Sequence, residues 1–234
     1  IHDDDLLRTT GVNGAIADMA YGEIRRYDAG TWFSPKFSGE RIPALAQALD
    51  LAKGRIGVYI EVKDSGGDAD LLERLLETGK GYERFYPEYE RLVMRQVRSA
   101  GSRNIELAEK VVQLVREREM REEVVIMSFS PIVCAVVMSE APELRVEFLA
   151  ASSKEDPGQW SRALEWLRLL NPAGFNPGKD DVTPELVRQL HSEGRSIAVW
   201  TVNEEADMRR LKSWGVDSLI TNYPDVGLRV LERD

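Results

Sequence analysis

Apolar residues occur along this chain in two alternating textures. Short dense runs read G-V-Y-I-E-V-K at 57–63, V-V-I-M-S-F at 124–129 and I-A-V-W-T-V at 197–202, rich in the β-branched residues that strands favour. With weaker runs near 145–149, 173–176 and 217–221, they predict six strands. Between them the spacing changes to three and four. Leu45, Ala48, Leu49 and Ala52 form one face of a helix over 44–53, and Ile105, Ala108, Val111, Val112 and Val115 form another. Trp160, Leu164 and Leu167 are the expected inward face of a third. Helix starts are written as a small polar residue before proline: Ser130-Pro131, Asp156-Pro157 and Thr183-Pro184. Asn203 is the expected cap of a later helix with Glu204 and Glu205 in its first turn, and Gly54, Gly194 and Gly215 mark helix ends.

Two stretches break the alternation. Residues 11–39 are rich in Gly, Thr, Ser and Asp and read as a loop excursion with one short helix near Tyr21 to Tyr27. Trp32, Phe33 and Phe37 lie close together in it, placed to pin the loop or to wall a pocket. After D-S-G-G-D at 64–68, helical patterns at 71–78 and 87–100 read as an insertion over about 64–103. It is charged, carries Tyr82, Tyr86 and Tyr89, and has the makings of a lid or a contact surface.

Strand–helix alternation with short turns predicts a parallel sheet covered by helices. The whole of 1–234 then reads as a single domain. No strand is followed by a glycine-rich phosphate-binding run, which removes the main support for a dinucleotide-binding or nucleotide-hydrolysing fold. The remaining candidate is the β/α barrel, whose chemistry sits at the C-terminal strand ends; it takes about eight strands, two more than the pattern supplies.

Composition narrows the partners. The formal net charge is −9, from 40 acidic and 31 basic residues, which argues against nucleic acid and anionic membranes as ligands. An acidic field also repels phosphate, so a phosphate site here calls for a cation. No apolar run reaches the length of a membrane span. The single cysteine, Cys134, excludes an internal disulfide and leans towards a reducing, cytoplasmic compartment.

Candidate chemistry gathers at the first strand. Side chains alternate along a strand, so Glu61 and Lys63 point to one side, about 7 Å apart. A carboxylate and an ammonium at a strand tip suit a metal and a phosphate oxygen, or a plain ion pair. His2, beside three aspartates, is one of two histidines; His191 falls within a predicted helix and reads as a surface residue.

Taken in order, H-D-D-D-L-L-R-T-T from His2, D-A-G-T-W-F from Asp28, F-S-G-E-R-I-P-A-L from Phe37, I-E-V-K at 60–63, M-S-F at 127–129, V-W-T-V-N at 199–203 and I-T-N-Y-P-D at 220–225 resemble the glycerophosphodiester phosphodiesterases. That family comprises metal-dependent β/α-barrel hydrolases. The resemblance covers nearly the whole chain outside the insertion. It implies an α/β fold, a (β/α)8 TIM barrel of the phosphodiesterase type whose first two strands precede Ile1. A His-Arg-Gly motif and further metal-binding carboxylates would lie on those strands. It implies hydrolysis of a small-molecule glycerophosphodiester to glycerol 3-phosphate and an alcohol, with a divalent metal, Ca²⁺ or Mg²⁺. By resemblance, His2 is the general acid, Glu61 a metal ligand and Lys63 a phosphate contact, while Trp200, Phe129 and Phe175 wall the substrate pocket. The competing reading is a barrel that binds phosphate or a partner without turnover.

Overall fold

A computed structural model of the chain describes residues 1–82, 87–154 and 156–231. They fall into two compact units, Ile1–Ile56 and Gly57–Asp234.

The first unit is built from short helices α1 (Leu7–Thr10), α2 (Tyr21–Ile24) and α3 (Leu45–Ala52) joined by turns. Its core is Leu6, Ile24 and Ile42, with Ile16, Met19, Tyr27 and Ala29 packed on them. The turn at 28–41 is held by one carboxylate. Asp28 accepts from the Gly30, Thr31 and Gly39 amides and the Thr31 hydroxyl, at 2.7–2.9 Å. Those bonds, the Thr31 amide first, hold its pKa well below the usual carboxylate range. A Cβ on Gly30 would run into the Phe37 carbonyl, so this turn requires glycine. Trp32, Phe33 and Phe37 contact one another at 5.9 and 5.7 Å between ring centres, and Phe33 remains 70% exposed.

Among its described residues the second unit contains six parallel strands paired in chain order: β1 (Val58–Glu61), β2 (Val124–Ser128), β3 (Arg145–Ala150), β4 (Gly174–Pro177), β5 (Ser196–Val199) and β6 (Ser218–Leu219). Each expected strand forms, the last reduced to two residues. Register sorts the side chains onto two faces. Val58, Ile60, Val62, Val124, Ile126, Val146, Phe148, Phe175, Ile197 and Val199 share one, and it carries the helices. The other carries Tyr59, Glu61, Arg145, Glu147, Asn176 and Ser196. The first strand therefore buries one face, with Ile60 and Val62 under 8% exposed while Tyr59 is 42% exposed.

The polar face converges. Tyr59 Oη on β1 lies 3.5 Å from Glu147 Oε1 on β3 and is close to the Ser218 side chain on β6. Ser196 Oγ on β5 donates to the same Glu147 oxygen at 2.8 Å. Side chains from both ends of the strand order meet only if the sheet curls, as it does in a β/α barrel. Gly174 makes room for them, since a Cβ there would strike Glu147 and Ser196.

Around the sheet lie α4 (Ala69–Gly79), α5 (Pro87–Ala100), α6 (Arg103–Glu117), α7 (Pro131–Glu140), α8 (Pro157–Leu170), α9 (Pro184–Ser192), α10 (Glu205–Ser213) and α11 (Pro224–Leu231). Every residue of α7 from Pro131 to Val137 is buried, the mark of a helix covered on all sides. The 64–103 segment is packed onto this body. Leu71, Leu75 and Gly79 of α4, and Tyr89, Val93 and Val97 of α5, repeat at i, i+4, i+8 and are buried. Tyr89 Oη donates to the Leu75 carbonyl at 2.9 Å and its ring stacks on Tyr82. Tyr86 lies outside the described residues.

Some expectations shift by a residue. The buried residues of α8 are Ala163, Trp166, Leu167, Leu169 and Leu170, packed towards β3, α7 and α4, and Leu164 is left 40% exposed. The N-cap of α10 is Glu204; Asn203 instead accepts from Asn222 N and Thr221 Oγ1 and ties the two loops after β5 and β6 together.

Candidate active site

At the C-terminal end of β1 the backbone continues extended, with Val62 N donating to Met127 O at 2.9 Å. This fastens the tip of β1 to β2 and aligns Lys63 with Phe129, two positions beyond the Glu61–Met127 pair. Glu61, Lys63, Met127 and Phe129 thus share the polar face of the sheet. Lys63 Nζ lies 2.7 Å from Glu61 Oε1. That oxygen is shielded from solvent and is paired with the ammonium.

Trp200 extends β5 on the same face. Its indole Nε1 donates to Asn176 O at 2.8 Å and its carbonyl accepts from Lys179 N at 2.8 Å, so ring and backbone are fixed to the end of β4. The Phe129 and Trp200 rings meet edge to face at 5.4 Å. These two aromatics stand at the ends of β2 and β5, strands that are not neighbours in the sheet order, so they span its C-terminal end.

The structure does not bring Phe175 to that pair. It points from β4 to the helix side, fully buried against Phe148 and Trp160 at 6.4 and 5.9 Å. Strand parity decides this: Asn176, one residue on, takes the polar face. His191 pairs with Asp217, 2.9 Å away at the start of β6, the opposite end of the sheet from Glu61. His2 belongs to the first unit. Its Nδ1 lies 3.1 Å from Asp3 Oδ1, and Asp3 in turn is paired with Arg8 at 2.6 Å. The Arg8 hydrogen bond first, then His2, lowers the Asp3 pKa to about 2.

One part of the site was not read from the sequence. Asn104, completely buried at the start of α6, donates from Nδ2 to Asp64 Oδ1 and Asp68 Oδ2 at 2.8 and 2.9 Å, and its Oδ1 accepts from Ser65 N at 2.9 Å. Ser102 Oγ donates to Asp68 Oδ2 at 2.5 Å. The loop directly after Lys63 is thereby anchored to α6. The signal was present as Gly101-Ser102, a helix-start pair, but nothing local links it to a loop some 40 residues earlier.

A parallel β/α sheet curled around a polar face, with a carboxylate, an ammonium and two aromatics at its C-terminal strand ends, has the architecture of the β/α barrels. Comparison with known proteins agrees. Residues 1–226 match the model of the glycerophosphoryl diester phosphodiesterase family, and the chain belongs to that family. It is 30% identical over 234 residues to a glycerophosphodiester phosphodiesterase of Caldanaerobacter subterraneus, covering 100% of this chain and 79% of that protein. A Bacillus subtilis glycerophosphodiester phosphodiesterase is 28% identical over 97% of this chain and 69% of its own length. Among solved structures, an Oleispira antarctica phosphodiesterase in complex with the product sn-glycerol-3-phosphate superposes with a TM-score of 0.74 at 20% identity, covering 99% of this chain and 78% of that one. The glycerophosphodiester phosphodiesterase of Agrobacterium tumefaciens gives 0.64 at 24% identity, over 98% and 79%. These structural likenesses establish the TIM-barrel fold.

Proposed function

We propose that the protein hydrolyses glycerophosphodiesters to glycerol 3-phosphate and an alcohol at the C-terminal end of its sheet, with Glu61, Lys63, Phe129 and Trp200 in the site. What supports this reading is the ion pair of Glu61 and Lys63, 2.7 Å apart, at the C-terminal end of β1, with the Phe129 and Trp200 rings in contact at the ends of β2 and β5. When a diester draws the Lys63 ammonium towards its phosphate, the shielded Glu61 carboxylate would need a second cation to offset its charge. A divalent metal, Ca²⁺ or Mg²⁺, is the cation this reading calls for, and its chemistry when bound is to offset the diester charge and polarise phosphorus. Among the described residues no group of three or more His, Cys, Asp or Glu could hold a metal. Glu61 therefore accounts for one arm of such a site, and the steps assigned to this chain run through its own side chains.

Lys63 places a positive charge for a phosphate oxygen, exchanging part of its pairing with Glu61 for the substrate. Phe129 and Trp200 present flat apolar surfaces that position the glycerol or the alcohol and limit water. The family resemblance gives His2, in the first unit, the role of general acid for the leaving oxygen. The Asp3 contact on Nδ1 orients the ring and leaves Nε2 for proton transfer. Asp3 stays charged down to about pH 2. Because its folded pKa is depressed, the contribution of that contact is present above the ordinary carboxylate pKa and is lost only as the pH falls towards 2.

The test is release of glycerol 3-phosphate from sn-glycero-3-phosphocholine by the protein carrying this chain, with and without EDTA, for wild type and Glu61→Gln. Metal stabilisation is worth several kcal/mol, so the substitution should lower turnover by about a hundredfold or more. Turnover that is unchanged by the substitution would remove Glu61 from the site; no release in any metal would favour binding without catalysis.

A further inference from the structure

Strand β4 closes with Asn176-Pro177, and the proline brings no amide hydrogen to the ladder. Register between β4 and β5 runs through Gly174–Ser196 and Phe175–Ile197, then resumes as a single bridge between Gly178 and Trp200. In the gap Asn176 supplies cross-strand bonds of its own. Its Oδ1 accepts from Ala198 N at 3.2 Å, and its carbonyl accepts from Trp200 Nε1 at 2.8 Å. Its Nδ2 reaches the other way and lies 3.8 Å from Met127 Sδ on β2. One residue thus joins β2, β4 and β5.

The place of this bridge gives it a role. Asn176 is completely buried on the polar face. Met127 and Ala198 each stand two residues before a ring of the Phe129–Trp200 pair, so the amide lies one step beneath that pair. Met127 is also the register partner of Glu61. Among the described residues Nδ2 has no better acceptor than the thioether, which is weak. For stability alone, an apolar side chain of the same shape would serve nearly as well here. What the amide adds is direction. With Oδ1 tied to β5, the Asn176 carbonyl is held where the indole N–H meets it, and the Trp200 ring is held in contact with Phe129.

We propose that Asn176 is the positioning residue of the aromatic wall: it acts through Trp200, without touching substrate, to set the affinity for the diester. The proposal rests on the diesterase reading above and on the place of Trp200 in that site. A ring that is no longer fixed weakens binding of ground state and transition state alike, so the loss belongs in KM rather than in kcat. The worth of one aromatic contact sets its size at about threefold to tenfold.

The experiment measures kcat and KM for sn-glycero-3-phosphocholine with wild type, Asn176→Ala, Trp200→Phe and the double variant. The Trp200 indole ¹H–¹⁵N resonance, identified by its absence from Trp200→Phe, is compared between wild type and Asn176→Ala. Asn176→Ala should raise KM about threefold to tenfold with kcat within about twofold, and should shift that resonance. In the Trp200→Phe background the same substitution should change KM by less than about twofold, because the bond it acts through is already gone. Asn176→Ser withdraws the same acceptor and takes its place if a thermal melt shows that Asn176→Ala does not fold. An unchanged KM, an equal change in both backgrounds or an unmoved resonance overturns the positioning role while leaving the diesterase intact. Failure of both variants to fold would make the amide structural and overturn it as well. No release of glycerol 3-phosphate by wild type overturns the diesterase reading, and the positioning role with it.

Discussion

Asn104 is the residue on which the loop after Lys63 depends. Its side chain bridges Asp64, Ser65 and Asp68 from a fully buried position. Replacing it by Leu would keep the volume and leave two carboxylates and an amide without those bonds. Unpairing buried polar groups costs about 1–3 kcal/mol, more when they are charged. Asn104→Leu should therefore destabilise the protein by about 3 kcal/mol, read as a shift in the urea midpoint at unchanged slope. A loss below about 0.5 kcal/mol would mean that water replaces the amide. Cys134 illustrates the opposite kind of residue. Burial pushes its thiol up to about 12, so it serves as a small apolar side chain in α7 and takes no part in the chemistry.

The helix starts show how one written signal has two structural outcomes. Thr183 and Ser130 both precede a proline that opens a helix. Thr183 Oγ1 accepts from Leu186 N at 3.2 Å, an ordinary N-cap. Ser130 makes no capping bond, and its buried hydroxyl has no hydrogen-bond partner among the described residues. The Ser130 amide instead donates to Ser128 Oγ, whose hydroxyl in turn donates to Val62 O at 2.6 Å and links β2 to the tip of β1. Thr183→Ala should cost about 1 kcal/mol in chemical denaturation, the usual worth of a cap. Ser130→Ala should be neutral or slightly stabilising, since it removes a buried hydroxyl without a partner. Equal losses at the two sites would contradict this difference. The 64–103 segment teaches the same lesson for whole elements. Its buried stripe is Leu71, Leu75, Tyr89, Val93 and Val97, but its charges made it read as an insertion with the makings of a lid or a contact surface. The charges occupy the outer faces, and the helices pack against α7 and α8.

At the scale of the second unit, the curl of the sheet depends on the polar face as well as on the helices. Glu147 is fully buried, paired with Arg145 Nε at 3.0 Å and bonded to Ser196, and it reaches Tyr59 on β1. Breaking a buried ion pair by removing one partner costs about 3–5 kcal/mol, because a charge is left uncompensated. Arg145 is itself 45% exposed, so Arg145→Met should fall at the low end, about 3 kcal/mol. Replacing both Arg145 and Glu147 with apolar residues should cost less than Arg145→Met alone. A thermodynamic cycle in urea checks this; a double variant worse than the single one would mean that Glu147 has its own essential contact with Ser196 or Tyr59.

What the sequence determined by itself was the order and kind of the elements, because strand and helix periods are local and are written in consecutive residues. It also placed Glu61, Lys63, Phe129 and Trp200 at strand ends, since a strand end is a local event. Tertiary structure decided which face each side chain took. Phe175 and Asn176 are adjacent residues of one strand; register against β3 and β5 sent the first into the helix layer and the second to the polar face. It also decided which distant residues meet. The Asn104 anchor, the Glu147 network and the Asn176 bridge each join groups far apart in the chain, and proximity of that kind exists only after the sheet has curled and the helices have packed.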